Sequence, residues 1–229
     1  SATPPANMNI TQAVQRAVQW YPDIGTQAGK LMSTAEKIDI ARARYYPQIS
    51  AGLNNGVTNS YSNHGNVPSV VLSLSQMLYD FGLTDSAVRE ANAAVAGQQA
   101  IVLLSIDKVA HDTAAALVQV QGYQELVAIA EEQLSSLQQL GKLANERNAE
   151  GASSLSDVVQ TDARIEGARA TLAQNQANLE RWRATLSTYV GWDKIARVSN
   201  EFPQTLGKSC SAASIDDQLV PSVLAARAQ

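Results

Sequence analysis

The stretch from Thr84 to Asn148 holds no proline and carries a heptad of inward-type residues, and this repeat constrains the chain more than any other feature. Ile106, Thr113, Val120, Val127 and Leu134 recur at seven-residue steps. Val109, Ala116, Tyr123, Ala130 and Leu137 come three residues after each, and that second series extends back through Val102, Val95 and Val88. A repeat kept over so many turns specifies coiled-coil packing. At 1.5 Å per residue the helix is roughly 95–100 Å long, far beyond what a compact domain of this size uses.

Asn148 to Ser154 reads as a tight turn, with Gly151 suited to the left-handed position past a helix end and Ser153 or Ser154 suited to cap a second helix. That second helix, 154–190, carries its own heptad of Val158, Ile165, Leu172, Leu179 and Leu186. So short a connection makes the two helices antiparallel. Gly191 stops the second. At the other end, residues 9–46 read as helix, capped by Asn9 or Thr11, with Ala13, Val14, Ala17 and Val18 at helical spacing. Pro22 kinks or restarts it, and Ile24, Ala28, Leu31, Ala35, Ile38 and Ala41 continue the stripe. Pro47 ends the helix by pushing its predecessor towards extended backbone.

Between these helices, over 47–80, the period changes to two. Ile49, Ala51, Leu53, Val57 and Tyr61 share one face, and Ser50, Gly52, Asn54, Gly56, Thr58 and Ser60 the other. Residues 62–66 have turn chemistry. After Pro68, Val70, Leu72 and Leu74 oppose Ser69, Ser73 and Ser75. Each strand reaches the ~9–11 residues that a tilted membrane strand requires, and an apolar face backed by small polar residues is the barrel pattern. A soluble hairpin laying its apolar face on helices fits the same residues. No stretch has the ~18–20 continuous apolar residues of a membrane helix, so a span must be made of strands.

Composition removes several function classes. Aromatics are 5% of the chain although hydrophobic residues are 45%, which suits helices packed closely along their length. Lys and Arg total 17 against 21 Asp and Glu, a net charge of -4, so there is no basic surface for nucleic acid. The single cysteine, Cys210, has no His or Asp arrangement for a nucleophile. His64 in the hairpin turn and His111 beside Asp112 lack a second ligand at i+3 or i+4. No phosphate-cradling glycine loop occurs. The chain reads as a non-enzyme with no cofactor and no metal site.

The termini are less regular. Residues 1–8 are expected to be a flexible N-terminus, and 192–214, with Pro203 and Gly207, a connector. Residues 215–229 carry Val220-Pro221-Ser222-Val223-Leu224, which echoes Tyr21-Pro22-Asp23-Ile24 as though a second copy of the whole arrangement were beginning. So short a match also fits chance.

With the elements in order, three passages resemble the TolC-type outer-membrane efflux and secretion family. Ala41-Arg42-Ala43-Arg44-Tyr45-Tyr46-Pro47-Gln48-Ile49 is similar to the family's passage from helix into first strand. Leu72-Ser73-Leu74-Ser75-Gln76-Met77-Leu78-Tyr79-Asp80-Phe81-Gly82 resembles its "LSQPLYDGG" end of the second strand. Gly151-Ala152-Ser153-Ser154-Leu155-Ser156-Asp157-Val158-Val159-Gln160 resembles its "G-x-x-S-x-x-D-V-L-Q" turn. The likeness makes 9–191 the first of the family's two structural repeats. It implies a mainly α fold: long antiparallel coiled-coil helices as an α-barrel segment, with one two-stranded membrane β-hairpin as a β-barrel segment. It also implies a trimer in the outer membrane with helices in the periplasm, working with a periplasmic adaptor and an inner-membrane pump. The export is of proteins or of small molecules.

On that resemblance Asp157 falls at the family's periplasmic gate, with its partners in the second repeat. Its residue-level reading is simpler: with Ser154 as cap it stands at N3 and complements the helix dipole. Ile49, Ala51, Leu53, Val57, Tyr61, Val70, Leu72 and Leu74 are expected to face outer-membrane lipid. Trp182 and Tyr189 read as seam packing, and Glu131, Glu132, Lys142, Glu146 and Arg147 as a solvated face that could meet the adaptor. The alternative to a channel component is a soluble coiled-coil scaffold or adhesin stalk.

Overall fold

The computed structural model describes residues 5, 7–57 and 66–201, with Pro221, Leu224 and Ala226 beyond them. The opening of the expected second copy otherwise lies outside the described residues, and these three are helical. The elements are α1 (Ile10–Trp20), α2 (Pro22–Arg42), a 3-10 turn (Ala43–Tyr45), β1 (Gln48–Val57), β2 (Asn66–Ser75), α3 (Leu83–Ala149) and α4 (Leu155–Val190). The expected helix 9–46 is thus divided. Tyr21 is extended (ψ 124°) because it precedes a proline, and Pro22 takes the first position of α2, where its missing N–H costs nothing.

The chain forms two compact units, one of residues 1–24 with 105–215, the other of 25–104 with 216–229. In the first unit α1 starts with a reciprocal cap between Asn9 and Gln12, and buries Ala13 and Ala17 fully. Leu117, Val120, Leu186 and Val190 are each 0% exposed and form the centre of its core. Tyr123, Val127, Trp182 and Tyr189 pack around them, as seam residues should. Every α3 and α4 heptad position identified from the sequence is buried or half-buried. The seven-residue repeat therefore reports the true seam.

Two features of this unit were not expected. Met8, placed by sequence in a flexible tail, is 1% exposed. It bridges the segment expected as a loose connector: Met8 N donates to Arg197 O (3.3 Å) and Ser199 N to Met8 O (2.9 Å). On the segment's other side the Gln124 amide acts like a neighbouring strand, accepting from Val198 N at 3.1 Å and donating to Val198 O at 3.2 Å. With its backbone groups satisfied, an aperiodic segment can bury Ile195 and Val198. The second feature is a clasp between helix ends. Arg16 Nε donates to Val190 O (3.1 Å), and its guanidinium lies over Trp20 and Trp192, 5.3 and 5.6 Å from the ring centroids. Gly191 ends α4 at φ 68°, and the Trp20 ring fills the space a side chain at 191 would need.

In the second unit, α2 keeps Leu31, Ile38 and Ala41 half-buried as expected, but Ala28 and Ala35 are exposed. Gln27 and Thr34 take the inward positions instead, and Gln98 of α3 donates to Gln27 Oε1 at 3.3 Å. The two spacings, three and four, are equally helical, and the amide pair selects between them. β1 and β2 pair antiparallel in a two-stranded sheet.

The seam supplies a direct test. Leu186→Ala should destabilise the protein by about 2–5 kcal/mol, since it deletes a buried side chain where the seam cannot collapse. Glu131→Ala, exposed on α3, should change stability by less than about 0.5 kcal/mol. Denaturant unfolding monitored by the helical signal distinguishes the two.

Candidate functional site: the hairpin and the helical tip

The hairpin register sets the faces. Ile49 pairs with Leu74, Ala51 with Leu72 and Leu53 with Val70. Directly opposed residues of an antiparallel pair project to the same face, so these six form one apolar surface. Nothing among the described residues covers it: Ile49, Leu53, Val70, Leu72 and Leu74 are 70–83% exposed and Ala51 is exposed. Val57 ends β1 opposite Asn66, while Tyr61 and His64 lie outside the described residues. The opposite face pairs Gln48 with Ser75, Ser50 with Ser73 and Gly52 with Val71. From Tyr45 to Tyr79 the sequence contains no Asp, Glu, Lys or Arg, so neither face brings a fixed charge.

Exposed aromatics gather where the hairpin meets the helices. Tyr45, Tyr46, Tyr79 and Phe81 are 47%, 68%, 75% and 89% exposed, and Tyr79 meets Phe81 edge-on at 4.7 Å. Asp80 shapes this junction. Its carboxylate accepts from Gly82 N (3.1 Å) and Thr84 N (2.7 Å), covering the first amides of α3. Phe81 between them is held at φ 55°, a left-handed conformation that a bulky residue rarely adopts. The hydrogen bonds from Thr84, then those from Gly82 and Leu83, hold the Asp80 carboxyl below the usual range.

At the far end of α3 and α4 the turn closes as the residue types require. Gly151 sits at φ 75°, and Asn148 Nδ2 donates to Ser153 O at 2.9 Å. Ser154 and Asp157 form a reciprocal capping box, Asp157 N to Ser154 Oγ and Ser154 N to Asp157 Oδ2, both 3.2 Å. Asp157 is exposed at N3, so its cap role leaves it open on the surface. Val159 and Leu155 beside it are 61% and 68% exposed.

One surface escaped the sequence reading. Leu126, Ile129, Leu140 and Leu143 of α3 are 44–59% exposed although the seam with α4 is elsewhere on the helix. Leu126 and Leu140 differ by two heptads, as do Ile129 and Leu143. They fall at the same two heptad positions in two places on α3, with Gln133 and Ser136 at those positions in between, so the sequence shows no unbroken second repeat. Glu131, Glu132, Lys142, Glu146 and Arg147 are all exposed, as expected of a solvated face. His111 is exposed against Asp112. Burial, then the Asp112 charge, raises the Tyr189 hydroxyl above its usual range. Among the described residues no group of His, Cys, Asp or Glu could hold a metal, and no helix is long and apolar enough to cross a membrane.

These features meet in known proteins. A family model described as outer membrane efflux protein matches residues 13–192. The outer membrane efflux protein BepC of Brucella suis is 24% identical over 210 residues, 89% of this chain and 46% of that protein. The chain therefore spans about half the length of this curated relative. Among solved structures, a membrane protein from Pseudomonas aeruginosa aligns with TM-score 0.77 at 18% identity, covering 96% of this chain and 54% of that one. The Campylobacter jejuni outer membrane channel CmeC aligns with TM-score 0.72 at 15% identity, over 85% and 45%. The fold is thus that of TolC-like channels with α-barrel and β-barrel parts. The chain belongs to the outer membrane efflux protein family, whose members are channels rather than enzymes and reside in the outer membrane.

The Asp80 clamp carries a pH prediction. Because its pKa is depressed on folding, the clamp contributes above the pKa of an unfolded Asp and is lost only as pH falls through the lower folded value. The Thr84 amide should stay protected through the ordinary Asp titration range and open below it. Asp80→Asn should expose that amide to exchange at neutral pH, as read by hydrogen–deuterium exchange.

Proposed function

We propose that this chain is one wall segment of a passive export duct through the outer membrane and the periplasm. The observation that carries the reading is the in-register apolar face of the hairpin, exposed in the chain and backed by an uncharged polar face. In water, contiguous exposed apolar surface of this kind is costly. In a bilayer it is the lipid-facing side of a barrel strand, and the polar side faces the lumen. Strands of ten residues fit the span. The exposed aromatics at the hairpin base suit the headgroup level, where amphipathic rings settle. A soluble scaffold would cover that apolar face.

Two strands leave open edges, and a barrel requires more of them. The exposed Leu126, Ile129, Leu140 and Leu143 of α3 support the same conclusion for the helices, since they suit packing against a neighbouring repeat. Six or more such repeats side by side would make a closed helical wall. We infer assembly as a trimer of two-repeat protomers, acting with a periplasmic adaptor and an inner-membrane pump. The family description and the efflux name of the Brucella relative support export through such a duct, with proteins or small molecules as the cargo. We infer that Asp157, exposed on the tip beside its capping box, hydrogen-bonds to a neighbouring coiled coil and holds the entrance shut.

Leu72 and Ser73 separate the faces in one experiment. Arginine on the lipid face at mid-membrane costs about 2–4 kcal/mol, and on the lumen face it does not. In the intact protein, Leu72→Arg should cut recovery from the outer-membrane fraction severalfold while Ser73→Arg inserts normally and alters ion selectivity in planar bilayers. Equal insertion of both variants would count against the barrel assignment. For assembly, Leu126→Asp with Ile129→Asp should shift the detergent-solubilised protein from trimer to smaller species on native sizing.

A further inference from the structure

Gly141 is buried in the α3–α4 seam, at the heptad position that Val120, Val127 and Leu134 fill in earlier turns. A Cβ there would stand 2.8 Å from Ile165 Cδ1 and 3.8 Å from Thr161 Cγ2. Gly122 and Gly167, on the same two helices, meet nothing within 4 Å. Glycine is the poorest helix former after proline, so a glycine in a long helix with a side chain driven into its empty space serves packing. Ile165 fills the place of the missing side chain and draws the helices together.

Past this contact the seam changes character. Ala144 and Asn148 continue the α3 positions, and apart from buried Val158 of α4 the large apolar residues give way to hydrogen bonds. Asn145 Nδ2 donates to Gly141 O (2.9 Å), Ser153 Oγ to Ala144 O (3.4 Å) and Asn148 Nδ2 to Ser153 O. The capping box of Ser154 and Asp157 completes the tip. Hydrogen bonds of this kind hold the turn internally but do little to fix the separation of two helices. That separation is left to the close Gly141–Ile165 contact and to Val158, the one buried apolar residue of α4 beyond it among the described residues.

We propose that Gly141 and Ile165 are the positioning pair for the gate: their contact is the pivot that sets helix separation at the tip and hence where Asp157 is presented. The proposal rests on the gate role inferred above for Asp157. It differs from that role in naming residues that touch neither cargo nor a neighbouring coil.

The test uses the intact protein, with amide exchange of residues 144–160 and resting conductance in planar bilayers as separate readouts. Gly141→Ala is absorbed by rotation of the Ile165 terminal methyl and leaves both unchanged. Gly141→Val cannot be absorbed, and should speed tip exchange roughly tenfold by loosening the turn and raise resting conductance severalfold. Gly141→Val with Ile165→Ala restores the summed volume and should return both readouts to the parent values. The pivot is overturned if Gly141→Val leaves the tip exchange unchanged, or if Ile165→Ala gives no rescue. If exchange responds and is rescued while conductance never changes, the pivot stands and the gate role of the tip falls.

Discussion

The α3–α4 seam is the interaction on which the rest of the structure depends. A helix of 67 residues has no stability of its own to match its length, and most of what it has comes from burying one stripe. The heptad keeps that stripe in line from Ile106 to Leu137, so that no named position drifts to the surface. α4 is held to the same line by Leu179 and Leu186, and its end is fixed by Gly191 and the Arg16 clasp. The small size of the seam residues, Ala116, Ala130, Ala168 and Gly141 among them, allows the close helix approach that the shortage of aromatics implied.

The hairpin obeys a different constraint. Among the described residues it joins no core, and its strands pair only with each other. Its apolar face is therefore a statement about surroundings. Asp80 caps α3 while its neighbours stay exposed and aromatic. A chain with one unit organised by a seam and another bearing strands uncovered among the described residues fits the proposed role as a repeating part of a larger wall. The exposed apolar residues of α3 fit the same role for the helices.

Much of this was legible in the residues because periodicity is a property of sequence. The seven-residue repeat located α3, α4 and their shared seam. The change to period two located the hairpin and assigned Ile49, Leu53, Val70, Leu72 and Leu74 to one face. The cap of Asp157 on Ser154 was readable from spacing alone. What escaped was aperiodic or broken in its period. Met8, Ile195 and Val198 are isolated apolar residues, and their burial depends on Gln124, distant in sequence, acting as a strand partner. Gln27 displaced Ala28 because a pairing with Gln98 outweighs a hydrophobicity count. The outer residues Leu126, Ile129, Leu140 and Leu143 share two heptad positions, but Gln133 and Ser136 interrupt them and leave no unbroken repeat to read.

The central claim is that one hairpin face lies in lipid and the other in water. Spin labels placed singly along 48–53 and 70–75 of the intact protein in bilayers read this directly, through collision with oxygen in lipid or with a nickel chelate in water. The account predicts an alternation of period two, with oxygen access highest at 49, 51, 53, 70, 72 and 74 and chelate access highest at 48, 50, 52, 73 and 75. Uniform chelate access at every position would place the hairpin outside the membrane and contradict the account.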